Sequence, residues 1–296
     1  MNVRVRAAVM AVGLGCASSA WGADEAPKTH RLYYVNILAA RANPTGFKDS
    51  ISLLYRLRLM DKPADNLLFG DTWLGIGPSL QITPAYARVG GEVRLVPIAV
   101  LRLIGRLETQ NFFGSFNQVT SWSDTDVDWS DDAIDLRDDA QPMNGWLATL
   151  EGRVQVKVGG VAARNTFLAQ HTSLPLPAGD VAYYDPSLDL LQPGEGWSFN
   201  NDADLLYVGT DTWVLGGRFS AAHAKHGDGS PADAWNLRAG PIIAKTLAEG
   251  TRGFHKPTAF LLTQWHLAHP YRTGQESSQA MPLIAGGIGW SGDLLP

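Results

Sequence analysis

Residues 146–160 read WLATLEGRVQVKVGG. Trp146, Ala148, Leu150, Gly152, Val154, Val156 and Val158 alternate with Thr149, Glu151, Arg153, Gln155 and Lys157. A period of two places every other side chain on one face, so this is a strand with one oily and one wet side. Gly159-Gly160 then supplies the positive φ that a two-residue hairpin turn requires, and residues 161–173 alternate again.

The same pattern recurs along the chain. It predicts strands at 29–40, 48–60, 67–76, 80–89, 92–108, 145–158, 161–173, 197–209, 212–224, 234–247, 256–268 and 281–292. Helical periodicity is hard to find after the first residues. Those residues have the form of a secretory leader, residues 1–22. Arg4 and Arg6 precede an apolar run from Ala7 to Gly15, and Ala20-Trp21-Gly22 forms a cleavage site. Residues 23–296 would then be the mature barrel domain. Cys16 is the only cysteine and lies in the leader, so the mature chain has no thiol for a disulfide or a metal.

The formal charge is −5, and loss of the two leader arginines takes it to about −7. There is no basic stripe or tail to engage nucleic acid. No later run reaches the roughly 18 apolar residues of a spanning helix. Only helices and closed barrels satisfy every backbone group in lipid. A membrane-integral chain of this kind is therefore all-β: a transmembrane antiparallel up-and-down barrel of about 12 strands.

Connection lengths point the same way. With the N-terminus in the periplasm, the inner links are 61–66, 90–91, 159–160, 210–211 and 248–255. The outer links are 41–47, 77–79, 109–144, 174–196, 225–233 and 269–280, so both long loops fall outside. Trp146, Trp213, Trp235, Trp265 and Trp290 stand near strand ends, where interfacial girdles lie. Ile51, Leu53, Tyr55, Leu57 and Leu59 form a lipid face opposite Ser52, Arg56 and Arg58. Pro97 lacks a ladder donor and marks a bulge.

The inward parity collects Arg56, Arg58, Arg94, Arg102, Arg106, Arg153, Arg164, Arg218 and Arg238, against the carboxylates Glu92, Glu108 and Glu151. Arginine rings select anions. The expected function is thus non-enzymatic: a structural or surface role, or a narrow anion-preferring passage, with a plugged lumen as the bland counterpart. A secreted soluble β-barrel that binds an apolar ligand is the reading outside the membrane class. Loop 109–144 carries Asp124, Asp126 and Asp128 in a spacing like the start of a calcium loop, but Trp129 stands where that loop needs Gly. A solvated acidic loop, with weak calcium binding as its functional alternative, is the expectation; no other cofactor is implied.

His171 and Ser173 lie two apart on the apolar parity of one strand, and a histidine beside a serine can act as its general base. This pair resembles the His-x-Ser of outer-membrane phospholipase A, a twelve-stranded barrel whose site faces lipid and uses calcium; outer-membrane lipid A deacylase has a similar pair. The resemblance implies an orienting residue twelve positions on, which is Asn in that family and Asp185 here. The Ser-Asn-Gly-Arg continuation is replaced by Ser173-Leu174-Pro175. A lipid-facing hydrolase using His171, Ser173 and Asp185 is the enzymatic alternative. Over the whole mature chain the architecture resembles Gram-negative outer-membrane β-barrels, which implies the outer membrane as location, and its lipids, lipopolysaccharide and the barrel-assembly machinery as partners. Such chains commonly end in an aromatic residue; this one ends in Leu295-Pro296, with Trp290 the nearest.

Overall fold

The computed structural model describes residues 29–62, 66, 68–114, 120–137, 141–209, 212–226, 233–251, 253–273 and 281–295. The leader with Cys16, the Asp138-Asp139 pair and the 210–211 link lie outside the described residues. In chain order the strands are β1 (His30–Ala42), β2 (Gly46–Arg58), β3 (Trp73–Ile82), β4 (Tyr86–Ile98), β5 (Leu101–Phe112), β6 (Ser121–Trp122), β7 (Met143–Val158), β8 (Val161–Ser173), β9 (Ala182–Asp185), β10 (Leu190–Pro193), β11 (Glu195–Tyr207), β12 (Trp213–Ala224), β13 (Trp235–Thr246), β14 (Gly250–Thr251), β15 (Phe254–Ala268) and β16 (Leu283–Asp293), with one short helix, α1 (Asp131–Asp135), before β7.

Twelve of these strands close on themselves. Each pairs antiparallel with its neighbour, β13 pairs with β15, and the ring shuts where β1 meets β16 from Tyr33↔Asp293 to Ala42↔Ile284. The two longest connections, 113–142 and 174–194, leave from one end, and the two-residue turns 99–100 and 159–160 lie at the other. β16 carries Gly286, Gly287, Gly289 and Gly292, so the middle of the seam is poor in side chains on that strand.

The decisive stretch 146–158 lies in β7 as its alternation requires. Leu150, Val154, Val156 and Val158 face out, all more than half exposed. The same outward face runs through Ile51, Ile76, Val93, Leu107, Leu205 and Leu261. Trp146, Trp197, Trp235 and Trp265 ring the long-loop end, while Tyr207, Trp213 and Phe254 ring the other. Burying that surface in lipid instead of water is worth about 25 cal/mol per Å². Two polar pairs interrupt it: Asn165 and Asn201 exchange hydrogen bonds of 3.0 Å across β8 and β11, and Asn36 donates to Asp49 at 3.0 Å across β1 and β2. Polar groups on a lipid face are tolerated when paired in this way.

Strands three to five depart from the sequence expectation. The 77–79 and 90–91 links, expected as turns, lie inside β3 and β4, and the expected fifth strand is divided between β4 and β5. The true turns are Thr83-Pro84-Ala85, where the Thr83 hydroxyl accepts from Tyr86 N at 2.9 Å, and Ala99-Val100. Gly77 and Gly90 mark close approach rather than reversal. A Cβ on Gly77 would sit 1.8 Å from the Leu53 carbonyl oxygen, and one on Gly90 2.0 Å from that of Leu107. Both glycines face inward, directly across from Glu92 and Glu108. The register shift between Leu95 and Ile98 places a bulge at Pro97, as expected. Gly77→Ala is accordingly expected to impair barrel assembly, read as loss of the compact, heat-modifiable band in cold electrophoresis. Normal folding of that variant would refute the close approach.

Candidate functional site

The inner face carries two ionic walls. On β4, β5 and β7, Glu92 has a fully buried side chain that accepts from Arg94 Nε at 2.8 Å and Arg106 Nε at 2.7 Å. Arg106 reaches on to Glu151 at 3.5 Å, and Arg153 pairs with Glu151 at 3.2 Å. On β8, β11 and β12, Asp204 takes Arg164 Nε and Arg218 Nε, each at 2.7 Å. Asp202 accepts from Ser220 at 2.6 Å. Glu108 accepts from Ser79 at 2.8 Å. Charges out of water persist when they are paired and hydrogen-bonded in this way.

Other arginines of that parity meet aromatic rings, an acid or a cross-strand partner. Arg56 lies over the Trp73 ring at 3.6 Å from its centroid and over Tyr33 at 4.8 Å, a cation–π arrangement. Arg58 approaches Asp61 at 3.9 Å. Arg102 stands opposite Arg153, and Arg238 opposite His266. Asp202 and Asp204 share the parity of Ser198 and Asn200 on β11, an acidic pair that the sequence expectation of Glu92, Glu108 and Glu151 does not include.

The two long loops do not hang in solvent. β6, β9 and β10 form a small separate sheet. With α1 it builds a core of Trp122, Trp129, Ile134, Ala182, Tyr184, Leu188, Leu190 and Leu191. That core rests on Ala222 and Ala224 of the β12 inner face, so the loops fold into the long-loop mouth as a cap. Tyr183 meets Phe112 edge-on, with ring centroids 5.9 Å apart, on the far side.

The barrel wall holds the cap by its backbone. Arg41 of β1 donates to the Pro186 and Ser187 carbonyls. Asn236 of β13 donates to Leu188 O at 2.9 Å. His269, just past β15, donates to Asp189 O at 2.8 Å, and His226, just past β12, to Leu191 O at 2.8 Å. A knot sits at the centre. Asp189, fully buried and at φ 56°, accepts from Arg272 at 2.5 and 3.0 Å and from the Tyr184 hydroxyl at 2.7 Å. Arg272 also holds Asp131 of α1 at 2.7 Å and Asn43 of the β1–β2 turn at 2.7 Å. Burial opposes the Asp189 charge, but the positive neighbours His269 and Arg272 overcome it and hold its pKa at about 2. Burial pushes the Tyr184 hydroxyl well above its ordinary range, so it remains a donor. Burial lowers both His226 and His269.

The remaining expected residues are scattered. His171 and Ser173 lie on the outward face of β8 near the long-loop end. His171 meets Trp197 edge-on at 5.0 Å, Ser173 stands opposite Trp146, and no hydrogen bond joins the pair among the described residues. Asp185 lies on the other side of the wall, buried in the cap, accepting from Ser187 N at 2.7 Å and 4.0 Å from Arg88. The three are therefore not assembled. Asp124 accepts from the Thr125 and Asp126 amides, and Asp128 from Ser130 N just before α1. Among the described residues no three acidic, His or Cys side chains converge as metal ligands would. His266 and His269, three apart in sequence, meet at 5.3 Å between ring centroids because β15 ends at Ala268 and the chain turns.

A closed antiparallel ring with an apolar outside and a charged inside is the architecture of an outer-membrane β-barrel. No family model matches the chain, and no curated protein sequence matches it. Among solved structures it is similar to the NanC porin, with 7% identity over 88% of this chain and 100% of that one and a TM-score of 0.41. It is similar to the CymD monoaromatic hydrocarbon channel, with 9% identity over 91% and 89% and a TM-score of 0.41. It is also similar to the translocator domain of the autotransporter NalP from Neisseria meningitidis, with 12% identity over 91% and 90% and a TM-score of 0.37. These are likenesses of form between chains of different sequence.

Proposed function

We propose that the chain is an integral outer-membrane barrel forming a narrow, anion-preferring passage, with the cap over its outer mouth. The observation that carries this reading is the unbalanced inner wall. Arg41, Lys48, Arg102 and Arg238 all face inward with no carboxylate at ion-pair distance among the described residues, while Glu92, Glu151 and Asp204 are already engaged. A low-dielectric wall with surplus cations raises the local concentration of anions and repels cations. The apolar outer face and its two aromatic girdles support the membrane setting. The turn-end lumen is lined by Leu54, Trp73 and Val96 on one side and by Leu206 and Ile242 on the other, which supports a slow conduit.

Planar-bilayer recording across a potassium chloride gradient tests this. A reversal potential on the chloride side is expected. A potential on the potassium side, or no current even from a barrel whose cap has been unlatched, removes the reading.

A further inference from the structure

We propose that the lumen holds a binding site for one hydrogen-bearing oxyanion, of the hydrogen phosphate kind, just beneath the cap between Arg238 of β13 and His266 of β15. The two residues are register partners on adjacent strands, both on the inner face. Arg238 is only 7% exposed. Its Nε is buried with no hydrogen-bond partner, and so is Nε2 of His266. Unmet polar atoms on two register-paired residues in a buried setting are costly, and they point to a group that would satisfy both.

The nearby acids are committed elsewhere. Asp189 is taken by Arg272 and Tyr184, and Asp202 by Ser220 and Arg218. Neither is at ion-pair distance from Arg238 among the described residues. The guanidinium therefore keeps a buried Nε–H with no partner in the protein, one arm of a fork that fits two oxygens of an oxyanion.

The histidine narrows the chemistry. Asn236 uses its amide nitrogen to donate to Leu188 O at 2.9 Å, which leaves its Oδ1 facing His266 Nδ1 at 3.3 Å. An oxygen there can only accept, so Nδ1 carries the proton, and the neutral ring presents a lone pair at Nε2. A cation and a lone pair side by side select a ligand that accepts on one atom and donates from another. Hydrogen phosphate does both. Sulfate, with no proton at neutral pH, leaves Nε2 unmet and sets an oxygen against its lone pair. The tautomer is fixed through Asn236 by a carbonyl of the cap, so the closed cap completes the site.

The site deepens the anion-passage reading by naming an anion for that lumen, yet it is tested separately. Isothermal titration of the detergent-solubilised full barrel at pH 7 with inorganic phosphate and with sulfate is the measurement. Phosphate is expected to bind, with sulfate weaker by at least about tenfold. Arg238→Met is expected to abolish phosphate binding, and His266→Phe to remove the preference over sulfate. Arg238→Lys, which keeps the charge and loses the fork, guards against a folding failure: it is expected to weaken phosphate binding while the heat-modifiable band is unchanged. Absent phosphate binding, sulfate binding as tight as phosphate, or unchanged affinity in a folded Arg238→Lys barrel overturns the site. A barrel that binds no phosphate yet reverses on the chloride side loses the site and keeps the passage. One that binds phosphate but passes no current does the opposite.

Discussion

Asp189→Asn is expected to unlatch the cap and raise the conductance of the barrel severalfold. Asparagine tolerates the left-handed backbone at this position almost as well as aspartate, so the change isolates the charge. Its loss leaves Arg272 buried beside a neutral amide, with Asp131 of α1, 61% exposed, as its remaining carboxylate. Breaking a buried pair by removing one partner costs about 3–5 kcal/mol. The small core of Trp122, Trp129, Leu190 and Leu191 is built from loop segments, and the neutral carbonyl grips that remain do not satisfy the buried guanidinium. Limited proteolysis from the loop side, together with single-channel recording, reads the outcome. Unchanged conductance and protection would show that the carbonyl grips hold the cap without the knot.

Acid should act on the same knot in two stages. His226 and His269 have folded-state pKa values below the unfolded value of about 6.5. Their share of cap stability is complete above that value and declines as pH falls beneath it. The Asp189 carboxyl, held at about 2, contributes stability that is complete above its unfolded value of about 3.9 and is lost as pH falls through 2. Conductance at constant ionic strength should therefore rise modestly between pH 7 and 5 and steeply only in strong acid. A fall in conductance over the first interval would contradict the assigned direction for the histidines.

Glu92→Gln is the second large effect. The Glu92 side chain is inaccessible, and two arginines depend on it. Removing its charge takes the Glu92 carboxylate from Arg94, whose side chain is 5% exposed, and leaves Glu151 as the carboxylate beside Arg106. Destabilisation of about 3–5 kcal/mol is expected, seen as a lower urea midpoint for unfolding from micelles. The inner wall also gains a net positive charge, so chloride preference should rise in the same variant. A barrel of unaltered stability would mean that Glu92 is replaceable by solvent, which its burial argues against.

The wall of the barrel was legible in the sequence because lipid on one side and a polar lumen on the other impose a strict alternation, as in residues 146–158. Register failed where glycine serves two purposes. Gly90-Gly91 has the composition of a turn, yet Gly90 gives Leu107 and Glu108 room to approach. The real reversal at Ala99-Val100 has no glycine and lies in a run that is apolar on both faces, so nothing in its composition announces it. The cap was illegible for another reason. Its apolar residues follow no period, because they pack around a core assembled from two distant loops and the tip of β12. A signal was present in Trp122, Trp129, Leu188, Leu190 and Leu191, which a solvated loop would not carry. The Arg238–His266 pairing across β13 and β15 depends on a register that periodicity does not supply.

The glycine-rich strand that meets β1 has a mechanical corollary. Elsewhere around the ring, neighbouring strands are clamped by interlocking side chains as well as by the ladder. Midway along this line Gly287 comes so near Leu38 that a Cβ would lie 2.3 Å from its carbonyl oxygen, so beyond the Arg31–Asp293 ion pair at the turn end cohesion rests largely on main-chain bonds. The molecule therefore has a zip: the first place to part under lateral tension, and the natural last stitch when the two ends of the chain find each other.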